Sequence, residues 1–69
     1  MEIKARVPGV VETINVKEGD TVSKKDVVMK LEAMKMVTPV LSPADGEVTE
    51  VCVEKGEHVK GGQVLMIIE

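Results

Sequence analysis

The sequence contains no phenylalanine, tyrosine or tryptophan. That removes the rings on which single-stranded nucleic acids stack and the large anchors that dominate many protein interfaces. Cysteine and histidine occur once each, as Cys52 and His58. One cysteine cannot staple a fold, and no Cys/His pair has zinc-ligand spacing. Ser23 and Ser42 have no histidine in a recognisable pattern beside them, so no nucleophile–base set is visible and no catalytic residue is assigned. Positive charge is outnumbered, nine Lys and Arg against twelve Asp and Glu, which leaves no basic footprint for nucleic acid. No apolar run approaches the roughly 20 residues that span a bilayer. Met1-Glu2-Ile3-Lys4 lacks the charged-then-apolar layout of a secretory leader. The expectation is a cytoplasmic chain with no membrane insertion. With 69 residues it forms one domain, residues 1–69, too small for an enclosed multi-layer active site.

What the chain does have is valine: 14 of them, with four Ile and only three Leu. β-Branched side chains are stiff at χ1 and pack well on a pleated sheet. Apolar residues alternate in Ile3-Lys4-Ala5-Arg6-Val7, and again in Ile14-Asn15-Val16 and Val51-Cys52-Val53. Turn signals interrupt them at Pro8-Gly9, Glu18-Gly19-Asp20, Pro43-Ala44-Asp45-Gly46, Lys55-Gly56-Glu57 and Gly61-Gly62. Short strands with frequent turns predict an all-β sandwich or barrel without helix.

The chain is also two copies of one unit. A shift of 37 residues aligns the halves without a gap, placing Gly9 on Gly46, Val11 on Val48, Gly19 on Gly56, Val22 on Val59, Met29 on Met66 and Glu32 on Glu69. Each half is too small to hide its own apolar face, so the two pack together. The spacing predicts a flattened, pseudo-two-fold barrel of about eight short strands. Gly19 and Gly56 are expected at positive φ. The apolar parity slips between Val11 and Ile14 and between Val48 and Val51, which predicts a bulge or a strand crossing between sheets in each half. The segment that closes the first half corresponds to the chain end, so a hairpin at Met34-Lys35 should lie opposite the termini and be presented outward.

That segment, Ala33-Met34-Lys35-Met36, is the oddity. Every other turn has Gly, Asn or Asp; this one has none, and a turn built against propensity suggests function. Alternation alone equally allows a core strand with Lys35 outward and both methionines inward. His58 and Cys52 read as exposed loop and strand residues.

Glu32-Ala33-Met34-Lys35-Met36 resembles the biotin attachment motif of biotinyl domains, the biotin carboxyl carrier proteins. Val7-Pro8-Gly9 resembles the family's opening Pro-Gly element, Val16-Lys17-Glu18-Gly19-Asp20-Thr21-Val22 its first turn, and Pro43-Ala44-Asp45-Gly46-Glu47-Val48 the element after the hairpin. Val53-Glu54-Lys55-Gly56-Glu57-His58-Val59 repeats the turn. The resemblance implies a single biotinyl domain over 1–69, a flattened antiparallel barrel-sandwich of two four-stranded sheets. It implies biotin held covalently on Lys35, with Glu32, Ala33, Met34 and Met36 as the hairpin surface that a biotin protein ligase reads. Small Ala33 would let the ligase approach, and Glu32 would orient the hairpin or, as its match with Glu69 allows, play a purely structural part. The biotin would shuttle a carboxyl group between a biotin carboxylase or decarboxylase site and a carboxyltransferase. The domain itself would be a non-catalytic, monomeric carrier, either a free-standing subunit or a domain of a longer polypeptide. No metal is implied.

Two other readings compete. Lipoyl domains share the fold, but usually carry Asp before the lysine and Ala after it. An unmodified β-sandwich interaction module is the other. The chain also departs from the family at two places. Pro39 cannot donate to a ladder and should mark an edge or strand end. Lys25 stands where the second half has Gly62, so a positive φ there would strain it.

Overall fold

The computed structural model describes residues 1–69. Eight strands follow in order: β1 (Glu2–Lys4), β2 (Gly9–Ile14), β3 (Thr21–Val22), β4 (Val27–Ala33), β5 (Met36–Leu41), β6 (Gly46–Val51), β7 (His58–Val59) and β8 (Val64–Ile68). They form two four-stranded antiparallel sheets, β1-β8-β6-β3 and β5-β4-β2-β7. There is no helix, as the turn spacing predicted, and so none long and apolar enough to cross a membrane.

The repeat extends to single hydrogen bonds. Gly19 N–H donates to the Val48 carbonyl at 2.8 Å, and Gly56 N–H donates to that of Val11 at 2.8 Å. Asp20 Oδ2 accepts from Lys17 N at 3.0 Å, and Glu57 Oε1 accepts from Glu54 N at 3.1 Å. The glycines of these turns have φ of 92° and 88°, a conformation that costs an L side chain roughly 1–2 kcal/mol. The register slips between Val11 and Thr13 and between Val48 and Glu50, the bulges read from the apolar parity.

The halves interlock, which the repeat alone did not reveal. β3 pairs with β6 and β7 with β2, so each half lends a two-residue strand to the sheet built mainly by the other. A half-chain would therefore leave edges unpaired, and the apolar faces close only when both halves are in place. Between the sheets lies one core of 13 residues, among them Val11, Val22, Val28, Met29, Leu31, Val48, Leu65 and Met66.

Met1 and Ile68 exchange backbone hydrogen bonds, N-terminus to Ile68 carbonyl at 2.6 Å and Ile68 N–H to Met1 carbonyl at 2.8 Å. Under the 37-residue shift these are the counterparts of Thr38 and Leu31, which pair across β4 and β5. The symmetry that carries one sheet onto the other thus carries the β4–β5 hairpin onto the paired terminal segments.

Both departures behave as their chemistry requires. Pro39 lies on β5, an edge strand, opposite Lys30. Antiparallel alternation from the hairpin end turns position 39 toward the open edge, where a missing N–H loses no ladder bond. Lys25 has φ 75°, against 86° at Gly62. Lys25→Gly is expected to stabilise the fold by about 0.5–1 kcal/mol, the left-handed penalty less the added freedom of the unfolded chain. A thermal melt should show the midpoint rise by roughly 2–8 °C.

Candidate functional site

β4 is the most constrained strand of its sheet, held by β2 on one side and β5 on the other. Its pairing with β5 runs from Val27–Leu41 to Ala33–Met36. Only Met34 and Lys35 remain to reverse the chain. Both have positive φ, 51° and 66°, the signature of a two-residue hairpin whose twist matches its strands. Asn-Gly is the usual choice because both positions are left-handed. Here the long β4–β5 ladder imposes that conformation on Met and Lys, at roughly 1–2 kcal/mol per residue.

The side chains at the tip point to solvent. Met34 is 95% exposed and Met36 71%, so the reading with both methionines in the core is excluded. Lys35 is exposed and has no hydrogen bond or ion pair; the one ion pair of the molecule joins Lys4 to Glu2. All eight lysines are exposed, so access does not single out Lys35. Its conformation is shared only with Lys25, whose N–H is tied to the Ser42 carbonyl at 2.8 Å and whose neighbours Lys24 and Asp26 are polar. A free, left-handed lysine between two exposed apolar side chains occurs once.

Glu32 and Ala33 have a packing role. A Cβ on Gly9 would meet the Glu32 carbonyl oxygen at 2.6 Å and the Ala33 Cβ at 3.4 Å. β2 can close on the hairpin base only because position 9 is bare. The same contact recurs in the other half, where a Cβ on Gly46 would lie 2.9 Å from the Glu69 carbonyl oxygen. The feature that Glu32 and Glu69 share is this backbone contact, and the Glu32 side chain makes no polar contact. Ala33 is half-buried, so its small size serves packing at the hairpin base. The contact joins residues far apart in sequence, and the Gly9–Gly46 match was its only visible signal. Gly9→Ala is expected to destabilise the domain by about 1–3 kcal/mol, since backbone must move. Thermal denaturation checks this, and Gly46→Ala should fall in the same direction by less.

The remaining candidates lie elsewhere. Cys52 and His58 are exposed, but their expected places are exchanged: His58 lies on β7 and Cys52 just beyond the end of β6. Cys52 Sγ lies 3.3 Å from Glu50 Oε2, and its thiol is pushed above the ordinary range by desolvation first, then by that hydrogen bond and the charges of Glu50 and Glu2. No group of three or more His, Cys, Asp and Glu is placed to hold a metal. A groove of about 320 Å³ runs along the seam between β1 and β5 and includes none of residues 32–36. The tip lies outside this groove, with Met34, Lys35 and Met36 all exposed to solvent.

Comparisons with known proteins bear on the family and the fold. A family model described as "Biotin-requiring enzyme" matches residues 1–68. The biotinylated protein TB7.3 homolog of Mycobacterium leprae is 36% identical over 67 residues, covering 97% of this chain and 94% of its own. The dihydrolipoyllysine-residue acetyltransferase component of pyruvate dehydrogenase complex from Cupriavidus necator is 43% identical over 56 residues, covering 81% of this chain and 10% of its own. The Kluyveromyces lactis urea carboxylase structure superposes with a TM-score of 0.94 at 25% identity, over 100% of this chain and 6% of that one. The chain thus spans nearly all of one small relative and a minor part of two large ones.

Proposed function

The chain belongs to the biotin/lipoyl attachment family, and from that membership we propose that it is a biotin carboxyl carrier with biotin joined to Lys35. The observation that carries this is the tip itself: one unpartnered lysine, held left-handed at the end of a rigid hairpin between exposed Met34 and Met36. The fit to an attached acyl group is good. Lys35 is exposed and engages no carboxylate.

A lysine amine in water is protonated at neutral pH and does not attack unaided. A biotin protein ligase supplies an activated biotinyl-adenylate and takes up the amine's proton. The amide bond to Nζ forms as the acyl–phosphate bond breaks and AMP leaves. One positive charge disappears, so the net charge moves from −3 to −4. The domain's share is positional. The β4–β5 ladder fixes where the amine stands, Met34 and Met36 give the ligase an apolar grip, and Gly9 keeps the hairpin base closed. Met is well suited to such contact because it is flexible and polarizable.

Bound biotin supplies a ureido ring that takes up a carboxyl group at one site and gives it up at another. This chain contributes the tether, which raises the effective concentration of that ring at each partner site. The partners are a biotin carboxylase or decarboxylase and a carboxyltransferase. We assign the carrier to the cytoplasm, where ATP for ligation is at hand, as a non-catalytic monomeric domain over 1–69. The methionines on both sides of Lys35 favour biotin over lipoate.

The test is intact mass after incubation with biotin protein ligase, ATP and biotin, with a lipoate ligase run in parallel. A gain of one biotinyl group supports the proposal. A gain only with lipoate moves the chain to the lipoyl carriers, and no gain with either active ligase leaves the unmodified interaction module.

A further inference from the structure

The five methionines divide sharply by exposure. Met29 and Met66, partners in the repeat, are 0% exposed in the core, whereas Met1, Met34 and Met36 are 62%, 95% and 71% exposed. Thioethers react with peroxides in proportion to access, and the product sulfoxide is polar and chiral. We propose that Met34 and Met36 are a sulfoxidation site, and that their oxidation by a peroxide reversibly prevents biotin attachment to Lys35. This rests on the carrier reading above.

The chemistry is self-contained. The sulfur lone pair attacks a peroxide oxygen, the O–O bond breaks, an S–O bond forms and water leaves. Sulfur loses two electrons and the peroxide gains them.

The consequence follows from the shape of the tip. A two-residue turn offers a docking enzyme very few atoms, and Met34 and Met36 are the large apolar side chains next to the amine. A ligase that covers them must then bury a sulfoxide oxygen in a surface shaped for a thioether. A polar group buried without a partner is costly. The fold is spared, because the two methionines whose oxidation would disrupt the core are sealed within it. Oxidation thus changes the recognition surface and leaves the scaffold that presents it. Cys52 is a weak competitor for the oxidant: its thiol is pushed above the ordinary range, and the reactive species is the thiolate.

The test uses the apo chain with Cys52→Ser, treated with dilute hydrogen peroxide, mapped by peptide mass spectrometry and then assayed for its initial rate with biotin protein ligase. Sulfoxide is expected at Met34, Met36 and Met1, with Met29 and Met66 unmodified. The ligation rate should fall by roughly tenfold or more. Treatment with the two methionine sulfoxide reductases, one for each epimer, should restore it. A Met34→Leu/Met36→Leu protein should hold its own starting rate, whatever that is, through the same exposure. Sulfoxides at both tip positions with an unchanged rate would overturn the switch and leave the carrier reading standing. An equal loss in the double leucine protein would also overturn it, because the damage would lie elsewhere. An untreated chain that takes no biotin at all removes the carrier reading, and the switch with it.

Discussion

Lys35→Arg protein is expected to keep its unmodified mass after incubation with biotin protein ligase, ATP and biotin, while the parent chain gains one biotinyl group. Arginine keeps the positive charge and the long stem, and it tolerates the left-handed turn no worse than lysine does. Its guanidinium stays protonated and offers no nucleophilic amine. Lys35 makes no hydrogen bond or ion pair in the fold, so the substitution should change stability by no more than about 0.5 kcal/mol. The experiment therefore separates attachment from folding: melts coincide and masses differ. Seven other exposed lysines remain as controls within the same molecule. Lys25 is the most informative of them, with φ 75° against 66° at Lys35. If left-handed backbone and exposure were enough, Lys25 would take the label in the arginine protein. A residual biotinyl group mapped there would show that the flanking methionines and the hairpin end do not select the site.

Much of this architecture was legible because the repeat exposes backbone requirements that one copy would hide. Gly19 and Gly56 mark the same left-handed turn, and the parity slips after Val11 and Val48 mark the same bulge. Lys25 stood out because its counterpart is Gly62, and its φ confirms the strain. The interlocking of β3 with β6 and of β7 with β2 was not legible. Two-residue strands carry no periodicity, and their partners lie in the other half of the chain. The tip was half legible. Met34-Lys35-Met36 alternates as a buried strand would, and local pattern could not decide between that and a turn. The decision is non-local: β4 is paired on both sides, β5 must lie beside it, and two residues are all that remain to reverse direction. The resemblance to the biotin motif reached the same place from a different direction. The packing around Ala33 was not legible for a similar reason. The structure sets it against bare Gly9, a neighbour that only the folded sheet provides.

Leu65→Ala tests whether recognition is three-dimensional, and its effect should be as large as that of Lys35→Arg by a different route. Leu65 is 0% exposed on β8, between β1 and β6. Removing a buried Leu side chain costs about 2–5 kcal/mol. A domain below 70–80 residues rarely has more than about 3–5 kcal/mol to lose. Most Leu65→Ala molecules should therefore be unfolded at 37 °C, seen as loss of the β signal in circular dichroism. Every residue from Glu32 to Met36 is intact in that variant, and Lys35 is at least as accessible as before. A ligase that read the linear segment would label it as fast as the parent chain. A ligase that reads a left-handed lysine between two projecting methionines finds that arrangement only while the β4–β5 ladder holds, and the ladder holds only while both sheets share their core. The expected result is a ligation rate that follows the folded fraction. It should fall with the β signal at 37 °C and recover when sucrose or cooling to about 20 °C restores the fold. Rapid labelling of the unfolded variant would place specificity in the five-residue segment and make the strained tip incidental to it.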